Sequence, residues 1–431
     1  MVSRQGRLFV LSSLAFAVFT GNAVAGGFEK ATMWDAKYAA LAGAAVSSVN
    51  TSSAVFYNPA GLARIEGNDF ALNASPTFVQ TNGPAEGDKS YVKGERNFVP
   101  NAGITGAFRL NEKFVMGYGF YGAGGASASY EDVTVGSVVP IMGNMVDLRM
   151  TGEYSTDIKI MEAGLALAYQ INDNWSIGGT YRLTYARADI NLASKVGPAG
   201  ALVGYNDLSG FNTFGVRLGA MYRSDDNRWG WGLNYRSDVN IEADGKASFE
   251  LGPIDRPIYA GRDATAKTAL PTQISTGVDY SLNDDWKLFG EVTWSQYSSI
   301  EAIKFVSSEG NLAVDSINTN WNDQWNFRFA TEYTGMDNWA LRAGYIYTTA
   351  VTPEKFAAPT FSTPAGAHTF TMGAGTTLMD DKLALDMGAE YNLAKNDTVK
   401  GGGDLTATSK ASSGKYDTNA WALHATLRYK F

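Results

Sequence analysis

The alternation of greasy and polar positions is clearest at the C-terminus. Trp421, Leu423, Ala425, Leu427, Tyr429 and Phe431 take turns with Ala422, His424, Thr426, Arg428 and Lys430. A period of two belongs to a β-strand with one apolar and one polar face. The pattern recurs over 175–183, 286–294, 325–333, 339–347 and 383–391, most of these segments opening on tryptophan. Arg182, Arg328, Glu332, Arg342 and Glu390 all fall on the polar side. A slip of one residue would turn each of them to the apolar side. If that side faces lipid, a central arginine there costs about 2–4 kcal/mol, so the register is firmly specified.

Connections alternate as well. Short polar turns fall at Asn111-Glu112, Asn172-Asp173-Asn174, 224–227, Asn283-Asp284-Asp285, 335–338 and Asp380-Asp381. Between them lie long Gly/Ser/Asp/Pro-rich stretches at 80–95, 124–149, 191–209, 246–266, 300–322, 350–367 and 395–415. Six short turns and seven long loops join fourteen strands. An even number starts and ends on the same side, with short periplasmic turns and long outer loops, as in an outer-membrane barrel. A soluble sandwich gives the same alternation but has no reason to sort its loops by length onto one end. Aromatics at both ends of the apolar faces also favour lipid over a core. The expected fold is all-β, a transmembrane antiparallel barrel over 67–431.

Two stretches break the rhythm. Residues 26–66 contain no strand pattern and are rich in Ala, Gly and Ser. A fourteen-strand barrel conducts water unless something fills it. This stretch is expected to be a hatch plugging the lumen; a periplasmic tail is the alternative. In the third strand, Gly117, Gly119, Gly122, Gly124 and Gly125 fall within nine residues. Glycine inside a strand weakens pairing and marks bulges or bends.

Composition narrows the class. The 431 residues have one long apolar stretch, Leu8 to Thr20. A multi-span helical protein needs segments of about 20 apolar residues and is excluded. Arg4 and Arg7, the apolar stretch and Ala23-Val24-Ala25 read as a signal peptide over 1–25. Its removal takes the net charge from -8 to -10. No basic block suggests nucleic acid. With no cysteine, disulfides and thiolate metal sites are excluded. The two histidines, His368 and His424, give no catalytic or zinc spacing, so no enzyme, cofactor or metal is expected. The inward Arg217, Arg236, Glu162 and Glu291, with the charged residues already named, read as a lumen network holding the hatch.

In this setting the chain resembles the outer-membrane long-chain fatty acid transporter family (FadL-type). The likeness rests on Asn58-Pro59-Ala60, on Asn172-Asp173-Asn174-Trp175 followed by Tyr185-Ala186-Arg187-Ala188, and on Leu270-Pro271 ahead of strand 8. Thr293-Trp294-Ser295-Gln296-Tyr297 and Asp337-Asn338-Trp339 with Leu341-Arg342-Ala343-Gly344 complete it. The resemblance implies a hatch closed by Asn58, Pro59 and Ala60. It implies passive uptake of long-chain fatty acids or other hydrophobic compounds through an apolar lumen pocket. Release would be sideways, at a strand-3 kink matching Tyr121, Gly122 and Gly124. The family's carboxylate-holding basic residue falls here near Asn191-Leu192, which is not basic. Lys195 and Lys304 are the substitutes, unless the cargo is an uncharged hydrocarbon. The terminal Phe431 resembles the signal read by the barrel-assembly machinery. The implied place is the outer membrane of a Gram-negative bacterium, among its lipid and lipopolysaccharide, as a monomer. A general diffusion porin and a structural or adhesive barrel are the alternatives.

Overall fold

The computed structural model describes residues 27–28, 32–86, 89–252, 254 and 257–431. The signal segment 1–25 lies outside the described residues. Fourteen strands follow one another: β1 (Asp69–Ala74 and Thr77–Gly83), β2 (Val92–Val99 and Ala102–Arg109), β3 (Phe114–Val135), β4 (Met150–Gln170) and β5 (Trp175–Val196). Then come β6 (Ala199–Asn212 and Val216–Arg223), β7 (Trp229–Arg236 and Val239–Leu251), β8 (Tyr259–Leu270 and Gln273–Ser281), β9 (Trp286–Ser295) and β10 (Gln324–Met336). The last four are β11 (Trp339–Thr348), β12 (Ala367–Leu378), β13 (Leu383–Val399) and β14 (Gly414–Lys430). Each pairs antiparallel with its neighbours. β14 returns to β1 with Phe70 opposite Tyr429 and Phe78 opposite Trp421, closing the barrel. At this seam the closure leaves no free edge, as a sheet in lipid requires.

The expected facing is observed. On β14, Leu423 is 51% exposed, whereas His424 and Arg428 are each 3% exposed. The aromatics that open the strands meet across the ladder, Trp175 with Tyr222 at 5.0 Å and Trp286 with Tyr333 at 4.7 Å between ring centroids. All six short turns lie where the sequence puts them.

The long loops differ from expectation. β3 runs to Val135, and a small hairpin (Val138–Ile141 with Asn144–Asp147) occupies most of the rest of 124–149. β5 and β6 are joined only by Gly197-Pro198, with Gly197 at φ +60°. Much of 246–266 is likewise strand. These ribbons of about 20 residues exceed the ~9–11 that a crossing needs. Beyond the membrane the outer face meets water, so the ladder continues while the apolar alternation fades. Leu270-Pro271 interrupts β8 rather than preceding it, because proline has no N–H to give the ladder. Breaks at Ser75-Pro76 and Pro100-Asn101 have the same cause.

Residues 32–66 form α1 (Ala36–Ala40), α2 (Ala54–Tyr57) and a 3-10 turn (Pro59–Arg64). Asp35 caps α1 by accepting from the Lys37 N–H at 3.0 Å. Their partners come from around the ring. The Ala36 N–H donates to Thr426 of β14 at 2.8 Å, and Thr371 of β12 donates to the Ala40 carbonyl at 2.9 Å. Glu291 of β9 accepts from the N–H groups of Ala45 and Val46 at 2.9 and 3.0 Å. Thr180 of β5 and Arg217 of β6 both donate to the Val55 carbonyl at 3.0 Å.

Candidate functional site

Asn58 ties the N-terminal segment to the wall. Its Nδ2 donates to the Val46 carbonyl at 2.7 Å and to the Ala220 carbonyl of β6 at 3.2 Å. Its Oδ1 accepts from the Ala60 N–H at 3.2 Å, opening the turn in which Pro59 supplies the first residue. The wall is cut away to receive this corner. A Cβ on Gly219 would stand 1.9 Å from Asn58 Oδ1, and one on Gly178 would stand 2.5 Å from the Pro59 carbonyl carbon.

Tyr121 is fully buried and donates to Glu162 at 2.6 Å. Glu162 also takes Arg182 at 2.7 Å and Arg217 at 3.3 Å. The Tyr121 ring packs on Trp34 and Phe56, with centroids at 5.0 and 5.3 Å. The β2–β3 ladder runs from Arg109–Val115 to Gly103–Tyr121 and ends there. Past that point β3 continues along β4, with a register shift between Gly122 and Gly124 that leaves Ala123 as the extra residue. The outer half of β2 pairs with β1. Among the described residues no backbone pair joins it to β3. Gly125, at φ +152°, instead donates its N–H to the Phe28 carbonyl at 2.7 Å. One side-chain bond crosses the break higher up, Ser129 Oγ to Asn97 Oδ1 at 3.1 Å.

Behind this stretch of wall lies an apolar cavity of about 40 Å³, lined by Phe28, Ile158, Ile160, Leu208, Ile241 and Leu270 among others. Phe28 meets Trp321 edge-on at 5.1 Å. The structure brings neither Lys195 nor Lys304 to this cavity. Lys304 faces outward on a short strand (Ala302–Val306), opposite Lys267. Lys195 stands at the tip of the β5–β6 hairpin, beside an opening it shares with Lys410. No cluster able to hold a metal is present among the described residues.

A second ionic cluster lies nearer the short-turn end. Arg428 reaches Asp35 at 2.9 Å, Asp386 at 3.4 Å and Asp69 at 3.5 Å, while Arg342 holds Glu332 at 2.6 Å and Asp386 at 2.7 Å. The inward charges on the strands are legible from period two. Asp35 and Asp69, which complete the cluster, carry no such signal.

The model of the outer membrane protein transport family (OMPP1/FadL/TodX) matches residues 16–431. The chain belongs to that family. This membership places it in the outer membrane as a transport protein rather than an enzyme. Within and around the family, an outer-membrane protein of Neisseria meningitidis serogroup B is 23% identical, covering 90% of this chain and 91% of its own. The long-chain fatty acid transport protein of Escherichia coli O6:H1 is 24% identical over 64% of this chain and 67% of its own. A Pseudomonas aeruginosa FadL homologue superposes with TM-score 0.78 at 17% identity, covering 94% of this chain and all (100%) of that one. The Ralstonia pickettii toluene transporter TbuX gives TM-score 0.69 at 16% identity, with 93% and 99% covered. At these identities the structural likenesses speak for the fold.

Proposed function

We propose that this barrel takes up long-chain fatty acids or related hydrophobic compounds by passive diffusion. Residues 26–66 act as the hatch, the outer hairpins catch the ligand, the apolar cavity holds it, and it leaves sideways where β3 parts from β2. The carrying observation is the end of the β2–β3 ladder at Gly103–Tyr121 beside a cavity walled by apolar side chains. The reading is supported by energetics. Burying apolar ligand surface is worth about 25 cal/mol per Å², and a path from cavity to lipid spares the ligand a return to water. A long acyl chain needs about 300 Å³ or more, against about 40 Å³ here. Binding therefore requires the groups that line the cavity to move apart.

A polar-solute porin is disfavoured by the wall-to-wall hydrogen bonding of residues 36–58. Planar-bilayer recording tests this: the intact protein should give little steady conductance, and deletion of 26–66 should raise it. A large conductance before deletion would favour the porin. Uptake of radiolabelled hexadecanoate by cells with and without the protein tests the cargo, and equal uptake would reject transport in favour of a structural or adhesive role.

A further inference from the structure

The break between β2 and β3 has a lower end, where the ladder stops at Gly103–Tyr121. It also has an upper end. Along the parted stretch the backbone of β2 is committed to β1. The Gly94 N–H donates to Asn82 Oδ1 at 3.0 Å, the Gly94 carbonyl accepts from Gln80 Nε2 at 2.8 Å, and the Asn101 carbonyl takes the Ser75 N–H at 2.6 Å. Pro100, between them, has no N–H to offer. On the other side Gly125 has given its N–H to Phe28. Higher up the two strands meet again. A Cβ on Gly94 would stand 3.0 Å from the Ser129 carbonyl oxygen and 3.2 Å from Cε1 of Tyr130. At this height Ser129 Oγ donates to Asn97 Oδ1 at 3.1 Å.

The break is therefore a window with a frame. It is bounded by Asn97 and Gly103 on β2 and by Tyr121 and Ser129 on β3. Six residues of strand span about 20 Å. Among the described residues, the Asn97–Ser129 bond is the one side-chain hydrogen bond across the parted stretch. Asn97 makes it while its Nδ2 stays buried with no partner among the described residues, so the side chain gains no second bond in that place. Two strands fastened at both ends of a gap can bow apart only as far as the span between the fastenings allows. With the upper one released, β3 is held above Tyr121 by β4 alone, and the seam can part from the top.

We propose that Asn97 and Ser129 set the widest cargo that the barrel releases, by closing the upper end of the exit window. The inference rests on the sideways-release reading above and adds a size limit to it. A slim acyl chain passes within the frame, whereas a tail that carries a fused ring system needs the frame to open.

The test compares uptake of hexadecanoate with uptake of dodecanoate bearing a pyrene on its last carbon, two probes with the same head and tails of different width. Cells carrying the native protein should take up hexadecanoate severalfold faster. Ser129→Ala and Asn97→Ala should each raise uptake of the pyrene probe severalfold and leave hexadecanoate close to its native rate. The chain has no cysteine, so Asn97→Cys with Ser129→Cys gives a clean pair for a disulfide or a short bis-methanethiosulfonate bridge. With the bridge in place, hexadecanoate should still enter and the pyrene probe should not; reduction should admit the pyrene probe. Loss of hexadecanoate uptake on bridging would show that cargo leaves above the tie and would overturn the assignment. An unchanged ratio of the two rates in both alanine variants, an equal rise in both rates, or equal uptake of the two probes by the native protein would overturn it too. If the native protein takes up neither probe, the transport reading itself fails. Heat-modifiable gel mobility confirms that each variant keeps its barrel, and the alanine variants carry the test if the cysteines do not bridge.

Discussion

Single side chains fix the N-terminal segment to the wall. Arg428 holds three carboxylates, Asp35 on the segment and Asp69 and Asp386 on the strands, and is itself only 3% exposed. Taking away one partner of a buried ionic group costs about 3–5 kcal/mol because the charges left behind stay buried. Arg428→Met should therefore lower the urea midpoint at which the folded gel band is lost; an unchanged midpoint would show the cluster to be dispensable. Gly219 acts by what it lacks. With Asn58 Oδ1 1.9 Å from where its Cβ would be, Gly219→Val must push the Asn58-Pro59 corner away from β6. The expected readout is a rise in single-channel conductance with the barrel intact. The Asn-Pro-Ala motif was visible in the sequence. Its glycine socket on β5 and β6 was not, because those glycines fall within ordinary strand alternation.

Among the elements, β3 differs from its neighbours. Glycines at 117, 119, 122, 124 and 125 give it few side chains to hold a partner, and its ladder to β2 stops at Tyr121. Filling the bend with Gly122→Val is expected to slow hexadecanoate uptake severalfold while the folded band persists. Uptake at the native rate would reject the sideways route. The glycine cluster announced a weak place in the strand. Only the pairing shows that the loss falls on the β2 side and that Phe28 of the N-terminal segment takes up the Gly125 N–H. The outer ribbons show the reverse: strands persist through 124–135 and 191–209, where the sequence reads as loop. Backbone pairing extends a hairpin with polar side chains as readily as with apolar ones, so long as no lipid selects one face.

For the whole molecule, the last residue closes the barrel. The Asn68 N–H donates to the Phe431 carbonyl at 3.1 Å and the Phe431 N–H to the Asn68 carbonyl at 3.2 Å, and the Phe431 ring lies 6.2 Å from Phe108. Deleting Phe431 removes both bonds and the terminal aromatic. Less protein is expected in outer-membrane fractions, with more degraded in the periplasm; normal amounts would argue against a role in assembly. The sequence by itself determined the strand count, the lipid-facing register and the inward placement of Arg182, Arg328, Arg342 and Glu390. Those follow from a period of two and from the cost of a charge in hydrocarbon, both local to each strand. Tertiary structure alone decided which inward groups meet one another, that Lys195 and Lys304 stand away from the apolar cavity, and that a cavity of mixed polar lining, Arg217 and Glu291 included, backs the wall break. Closing fourteen strands brings residues hundreds of positions apart within hydrogen-bond reach, and no local pattern along the chain encodes those distances.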